Sequence, residues 1–312
     1  MKRLLITSVL ASLQFSCSAG PSSNPEAVGT VAWGRDPDAA LTSSGDTGKP
    51  VFALFQEVPG CAGCRQFGRE VLSDPLVVEA IQSEFIPLLI HNNSSGGDSG
   101  VLKRFGEPAW NYQVVRFLDT RGKDVIPRRE RVWETGPLTE RMIDALARAG
   151  RPAPLYLKLI AAEHSPSLKK AAFAMDCFWT GEMKLGRIDG VVTTEAGFIN
   201  GQEVTLAGYD PVLIPLPRLI AAAEKVECAR AVYVPGPELP DFQTTRLLVG
   251  SLSGYRKAPA NDQKKQLSNF GSTKPGLTPA QAAKVNSWIG QDRAKALAHL
   301  SPRQRAALRA QP

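Results

Sequence analysis

The chain has 312 residues, 43% of them hydrophobic, and a formal net charge of +7 from 37 basic and 30 acidic side chains. This length and composition suffice to bury two ordinary cores. The positive charge is spread out, apart from an Arg/Lys-rich C-terminal segment, and does not alternate with aromatic residues, so no nucleic-acid partner is expected.

Residues 1–19 predict a signal peptide. Lys2 and Arg3 supply its positive start, and Leu4 to Phe15 its apolar run. That run is too short to span a membrane, and no later segment reaches the roughly 18 apolar residues that a span needs. We therefore expect an exported protein, periplasmic or extracellular. A lipid anchor at Cys17 is the alternative, although the residues before it form a poor lipobox.

The remaining cysteines are too few to staple a chain of this size, so catalytic or redox use is expected of them. The three histidines have no ligand spacing to one another or to the cysteines, and we expect no metal site and no cofactor. The four thiols beyond Cys17 are Cys61, Cys64, Cys177 and Cys228.

A first unit is predicted at 30–150, following a leader that ends near residue 19. It begins with a short apolar run typical of a buried central strand, and later segments alternate between helix and strand patterns. The predicted elements are a strand at 50–55, a helix from Cys64 through Leu72, a helix to Ile81, a strand at 85–90, a loop at 92–100, a hairpin at 114–122 and a helix at 137–149.

Cys61 and Cys64 follow the first strand at the start of a helix. Two residues between cysteines on a first helical turn permit reversible disulfide formation, and the helix N-terminus favours the thiolate of Cys61. A zinc half-site or an inert surface disulfide is the alternative. This arrangement resembles the thioredoxin-like fold, in the branch where Val-Pro-Gly precedes the reactive cysteine. One departure is that Gln113 occupies the position of the cis-proline of thioredoxins.

A connecting segment at 151–167 is predicted to join the first unit to a second at 168–290, with a basic helical tail at 291–312. The second unit alternates in the order β-α-β-β-α-β, a ferredoxin-like (split βαβ) arrangement. Its predicted elements are a strand at 169–176, a helix at 178–188, strands at 191–199 and 203–209, a helix at 214–226 and a strand at 229–234, followed by a polar loop at 253–280.

Cys177, Phe178 and Trp179 lie where the first strand of this unit gives way to a helix. A thiol at a helix N-terminus feels the positive end of the macrodipole, which favours the nucleophilic thiolate. The two aromatic residues can line an apolar pocket for a small group such as a methyl. A buried core cysteine flanked by packing aromatics is the alternative.

The surrounding segment resembles the A-type peptide methionine sulfoxide reductases, whose signature is Gly-Cys-Phe-Trp with a glutamate shortly after. The resemblance is good over about 168–235 and faint to about 290. The matching positions are Cys177-Phe178-Trp179, Glu182, Gly190-Val191, Thr194, Gly197-Phe198, Glu203 and Asp210-Pro211, with Asp262 further on.

The resemblance implies a role for each matching residue. Cys177 would attack the sulfur of methionine sulfoxide, and Glu203, with its carboxyl in the same cavity, would donate a proton to the departing oxygen. Phe178 and Trp179 would hold the methyl group, and Asp262 would contact the substrate. The activity implied is that of a peptide-methionine (S)-S-oxide reductase, regenerated by a thiol reductant.

The cysteine that would regenerate Cys177 is not fixed by the sequence. Cys228 is the first candidate because it is the other thiol of the second unit, although a buried structural cysteine is an equal alternative. Cys61 of the first unit is the second candidate, since covalent linkage gives it a high effective concentration.

Several departures from the family pattern leave the site remodelled. Asp176 replaces the Gly before the Cys, and Thr180 the Gly after the Trp. Two active-site tyrosines are missing: one falls in a loop that is shortened here, and the other has become Leu267.

Three functions therefore remain open from the sequence. The first is an exported methionine sulfoxide reductase with its own reductant domain. The second is a protein thiol–disulfide oxidoreductase acting through Cys61 and Cys64, with the second unit as a non-catalytic binding platform. The third is a non-catalytic binder of oxidised or thioether side chains.

Overall fold

A computed structural model gives the structure of the chain. The predicted leader and Cys17 lie outside the described residues. Within the described part of the chain, no helix combines the length and the apolar character needed to cross a bilayer. The structure describes residues 26–93, 97–109, 113–236, 247–270 and 276–309.

The first unit is built on a three-stranded sheet in the order β2-β1-β3, with β1 parallel to β2 and antiparallel to β3. Every residue of β1 is buried, as its apolar run predicts. The elements are α1 (Pro37–Thr47), β1 (Val51–Gln56), α2 (Ala62–Glu70), α3 (Pro75–Glu84), β2 (Ile86–His91), α4 (Gly97–Phe105), β3 (Val114–Leu118), α5 (Thr135–Arg148) and α6 (Leu155–Glu163).

Aromatic side chains fill the core on one face of this sheet. The Phe52 ring packs edge-on against Phe117 at 5.4 Å and against Phe85 at 6.0 Å between ring centroids. Tyr156, Leu157 and Ile160 of α6 belong to the same core. The predicted connecting helix therefore packs with the first unit.

Two helices of this unit are missing from the sequence prediction. The first is α1, and the second is α4, which begins inside the stretch that was predicted to be a loop. Both are rich in Gly, Ser and Asp, residues that favour turns. The predicted hairpin after β3 is reduced to an isolated bridge between Leu118 and Asp124.

The second unit is built on a six-stranded sheet in the order β8-β7-β4-β6-β5-β9. Adjacent strands among its four central ones are antiparallel. Along the chain these four occur in the β-α-β-β-α-β order that was predicted for 169–234. The edge strands β8 and β9 were not predicted. The elements are β4 (Lys169–Ala174), α7 (Phe178–Leu185), β5 (Val191–Ile199), β6 (Gln202–Tyr209), α8 (Leu216–Lys225), β7 (Ala231–Val234), β8 (Leu248–Ser251) and β9 (Arg256–Lys257).

Three more helices follow: α9 (Pro279–Trp288), α10 (Arg293–Leu297) and α11 (Pro302–Arg309). A capping box between Thr278 and Gln281 starts α9. Leu300 is fully buried. The backbone N–H of Arg303 donates to a carboxylate oxygen of Glu79 on α3, at 2.7 Å. The predicted basic tail is thus packed, and it contacts the first unit.

Candidate functional sites

Cys61 and Cys64 lie where β1 leads into α2. Cys61 is the N-cap residue of α2, and its sulfur accepts the backbone N–H of Cys64 at 3.4 Å. The two sulfur atoms are 3.1 Å apart in the free dithiol. Cys61 is exposed and Cys64 is fully buried. The geometry fits an exposed attacking thiol with a protected partner.

Burial, together with the neighbouring Cys61, raises the pKa of Cys64 to about 12. The Cys64 sulfur lies 3.6 Å from Oε1 of Gln113, the residue where the sequence comparison placed the thioredoxin cis-proline. Gln113 is itself buried, and its side-chain nitrogen has no hydrogen-bond partner among the described residues. Gln113 thus places an amide, in the position expected for a proline ring, in contact with the buried Cys64 thiol.

Glu57 completes a cluster at this site. Its carboxylate accepts the N–H of Cys61 at 3.2 Å, and its ligand oxygen and the two sulfurs lie within 4.8 Å of one another. The sequence predicted no metal site, and three ligand atoms are one fewer than a closed structural zinc site uses. A catalytic zinc site takes three ligands from the protein, so the absence of a metal here stays a prediction.

Cys177 is the N-cap residue of α7, as predicted, and is half-buried. Its sulfur makes no capping hydrogen bond. The first N–H of the helix, that of Phe178, donates to the carboxylate of Glu203 on β6 at 2.8 Å. Because β6 pairs with β4, Glu203 reaches the start of α7 from the adjacent strand. The thiol and the carboxyl group therefore meet at one helix N-terminus.

A glycine allows α7 to lie close to the strands. A Cβ atom on Gly181 would come within 2.0 Å of the sulfur of Met175 and 2.3 Å of the hydroxyl of Thr205. The same hydroxyl donates to the carbonyl of Phe178. Gly181 is thus required where α7 approaches Met175 and Thr205 closely.

The two aromatic residues after Cys177 pack into an apolar cluster. Phe178 is buried and lies 6.0 Å from Trp179 and 5.5 Å from Phe198, between ring centroids. The indole N–H of Trp179 donates to the backbone carbonyl of Asp262 at 3.1 Å. Asp262 thus contacts the site through its backbone, and it fixes the orientation of Trp179.

Beneath this cluster lies an ion pair that sequence reasoning missed. Glu182 is completely buried and accepts hydrogen bonds from the backbone N–H of Lys264 at 2.6 Å and from its ammonium group at 2.5 Å. The same ammonium group donates to the carbonyl of Thr194. The pair fastens the segment after β9 to α7. The family glutamate at this position is a structural anchor here.

The missing tyrosines are not replaced by the nearest remaining one. Tyr255 lies over Gly197, and its hydroxyl donates to Glu195 at 2.9 Å. Gly197 and Glu195 point to the face of β5 opposite Phe198, since successive side chains alternate. Burial and the Glu195 carboxylate hold the pKa of Tyr255 well above its ordinary value. Leu267 packs with α9 and α10 in a separate core.

Cys177 and Cys228 line one cavity of about 480 Å³. Ala174 at the end of β4 pairs with Ala231 at the start of β7. Cys177 follows Ala174 by three residues (177 − 174), and Cys228 precedes Ala231 by three residues (231 − 228). The antiparallel register therefore carries the two thiols to the same end of the sheet.

Cys228 is almost fully buried, and burial raises its pKa. Asp176, which replaces the family glycine, forms an ion pair with Arg230 at the edge of the same cavity. Glu203 is not among the residues that line it, so the expectation that Glu203 and Cys177 face one cavity is not met there. Cys177 instead lies between Glu203 on the β6 side and Cys228 on the β7 side.

Residues 169–214 match the family model of peptide methionine sulfoxide reductase. A 118-residue stretch is 28% identical to peptide methionine sulfoxide reductase A5 of Arabidopsis thaliana, covering 34% of this chain and 46% of that protein. A 71-residue stretch is 38% identical to MsrA of Clostridium perfringens, covering 17% and 45%. The chain spans about half the length of the curated relatives it matches.

Two solved structures share weak overall likeness with the chain. Methionine sulfoxide reductase A of Corynebacterium diphtheriae is 17% identical, with a TM-score of 0.30, over 41% of this chain and 92% of that one. A DsbH oxidoreductase is 16% identical, with a TM-score of 0.32, over 40% and 91%.

Proposed function

We propose that the second unit is a peptide methionine sulfoxide reductase-like domain that reduces the S epimer of methionine sulfoxide in peptides or proteins. The observation that carries the proposal is the carboxylate of Glu203, which accepts the N–H of Phe178 at 2.8 Å and so lies at the helix start where Cys177 is the N-cap residue. The match of residues 169–214 to the reductase family supports it.

The first step transfers oxygen from the substrate to Cys177. The Cys177 thiolate attacks the sulfoxide sulfur and forms an S–S bond, while Glu203 gives its proton to the oxygen and becomes a carboxylate. The hydroxyl then passes to the Cys177 sulfur as the substrate S–O bond and the new S–S bond break, and the electron pair of the S–S bond goes to the methionine sulfur. Methionine leaves with two more electrons on its sulfur, and Cys177 is left as a sulfenic acid. Phe178 and Trp179 offer the methyl group an apolar contact surface.

The second step removes the sulfenic oxygen as water. The Cys228 thiol attacks the Cys177 sulfur, forming a disulfide while hydroxide leaves and takes up the thiol proton. The shared cavity and the register of β4 and β7 support Cys228 as the partner. A dithiol then returns two electrons to the disulfide and is itself oxidised.

We propose Cys61 and Cys64 as that dithiol, in a thioredoxin-like first domain at about 30–150 joined to a ferredoxin-like reductase domain at about 168–290. The 3.1 Å sulfur separation and the exposure of Cys61 support the assignment. Export to the periplasm or cell surface remains part of the proposal and depends on residues 1–19.

The deciding experiment is an assay of the full chain with a peptide carrying either epimer of methionine sulfoxide and with dithiothreitol as reductant. We expect the S epimer alone to be reduced. Cys177→Ser should abolish turnover, because sulfur is the attacking atom, while Cys61→Ser should retain it with this reductant. Equal residual turnover in the wild type and Cys177→Ser would remove the catalytic proposal.

A second function is supported by the exposed and buried pair at α2. In this alternative the chain exchanges disulfides of other proteins through Cys61, and the second unit only binds them. Reduction of insulin disulfides, lost in Cys61→Ser and unchanged in Cys177→Ser, together with no sulfoxide turnover, would favour it.

A further inference from the structure

A second cleft lies at the far end of α7 from Cys177, where the two units meet. It has a volume of about 390 Å³ and is bounded by α6, by the turn between α7 and β5, and by α9 and α10. Lys158 and Leu159 belong to α6, whereas Trp288 belongs to α9. The proposed reaction uses none of these residues.

The lining of this cleft is strongly positive. The cleft is lined by four basic side chains and by one carboxylate, that of Asp189. The basic residues are Lys158, Arg187, Lys284 and Lys295. The Lys284 ammonium donates to the carbonyls of Gly186 and Ile188, at 2.8 and 3.3 Å. Burial lowers the pKa of Lys284 to about 8, and the Asp189 carboxylate offsets part of that effect.

Arg187 leaves a donor without a partner in this cleft. Its Nε donates to the carbonyl of Ser287 at 2.8 Å, and its guanidinium lies 4.9 Å from the centre of the Trp288 ring. Its buried Nη2 has no hydrogen-bond partner within the described residues. A buried donor left unpaired is costly, so an acceptor from outside the chain is favoured here.

The remaining walls are apolar. The Trp288 ring forms one side of the cleft together with buried Leu159 and Val192. The Lys295 ammonium lies 3.6 Å from the centre of the same ring. Leu213 at the rim is 68% exposed, which is unusual for a large apolar side chain and leaves a surface to be covered. An inorganic anion alone would not cover it.

We propose that this cleft binds a small organic anion, a carboxylate or phosphate monoester on a short apolar body. The anionic group accepts from Arg187 and the neighbouring lysines, and the body lies against Trp288 and Leu213. Because the lining comes from α6 and from the second unit, the bound ligand joins the two units and stabilises their junction.

Titration calorimetry of the full chain at low salt tests this, with octanoate, octyl phosphate and octanol as probes. We expect saturable binding of at least one anion and none of octanol, and the pair of anions distinguishes carboxylate from phosphate. Bound anion should also raise the midpoint of thermal unfolding. No measurable binding of either anion, or equal binding of octanol, overturns the proposal.

A double variant, Lys158→Gln with Lys295→Gln, removes two exposed lysines of the cleft. The control double variant, Lys123→Gln with Lys225→Gln, removes the same charge from exposed positions outside the cleft. We expect about tenfold weaker binding in the first variant, since each exposed cation contributes a few-fold. The second should bind like the wild type. Equal affinities in the two variants would overturn the assignment, and matching far-ultraviolet circular dichroism excludes misfolding.

Discussion

The two thiol sites use the same helix start in different ways. At α2 the sulfur of Cys61 itself accepts the N–H of Cys64, so the thiol serves as the helix cap. At α7 the carboxylate of Glu203 accepts the N–H of Phe178, the first residue of the helix, and the sulfur of Cys177 makes no capping bond. Because Glu203 accepts that N–H, the Cys177 thiol has no capping role and a carboxyl group lies at the same helix start. This difference separates the site that we propose for disulfide exchange from the one that we propose for oxygen transfer.

Replacing that borrowed carboxyl tests the comparison most strongly. Glu203→Gln keeps an oxygen that accepts the N–H of Phe178, but it has no proton to donate. We expect sulfoxide turnover to fall by about 10²–10⁴-fold, the usual contribution of a positioned acid, with little change in substrate affinity. Steady-state kinetics with the S-epimer peptide measures it.

Glu195→Gln is the matched control, because Glu195 lies on the neighbouring strand but on the opposite face of the sheet and pairs with Lys257. It should retain near wild-type turnover. If both variants lose activity equally, the effect of Glu203→Gln is structural and the assignment of an acid to this position is wrong.

The two sites also differ in the second thiol. Cys64 lies in the helix that Cys61 caps, whereas Cys228 lies between α8 and β7 and not in α7. The difference in alkylation rate between exposed Cys61 and buried Cys64 is the next largest expected effect. With a pKa of about 12, Cys64 is protonated at neutral pH. We expect iodoacetamide to label Cys61 at least about tenfold faster at pH 7, since the thiolate is the nucleophile.

In Cys61→Ser, the labelling rate of Cys64 should rise with pH through the range 8 to about 11, because the thiolate fraction grows until the pKa is reached. Removing Cys61 also removes one cause of the raised pKa, so the rise should begin somewhat earlier than in the wild type. Mass spectrometry of the tryptic peptides resolves the two sites. Faster labelling of Cys64 in the wild type contradicts the assignment.

The smallest expected effect concerns Cys228. With dithiothreitol, Cys228→Ser should lose only a few-fold in turnover, because a small thiol can reach the half-buried Cys177 directly. Trapping with dimedone after one equivalent of sulfoxide should, however, detect sulfenic acid on Cys177 in the variant and little in the wild type. A wild-type disulfide between Cys177 and Cys61 would assign the resolving role to the first unit.

Local patterns in the sequence predict most elements of the second unit but not the contacts that assemble its site. The alternation from β4 to β7 follows from apolar runs that are separated by helical periods. The Glu182–Lys264 pair joins residues 82 positions apart, and it depends on how an irregular segment returns to α7. The meeting of Cys177 with Cys228 depends on strand order, which no local pattern encodes.

Helices α1 and α4 were missed for a different reason. Their Gly, Ser and Asp residues predict turns when taken one by one. For α1 the sequence also carries helix signals that were not used: Asp36 caps its start, Pro37 is its first residue, and Gly48 ends it in the left-handed conformation. Asp262 was found by resemblance, but for its side chain, whereas the structure uses its carbonyl. Resemblance locates a residue, and the atom that acts follows from the backbone path.

The hydrogen bond between Arg303 and Glu79 has a consequence for biosynthesis. Its partners are 224 positions apart, so this tie between α11 and α3 cannot form until the whole intervening chain has left the ribosome. Domains generally fold in order of emergence, and both sheets are complete in the sequence before residue 303 appears. The tie therefore forms last, over units whose cores have already formed.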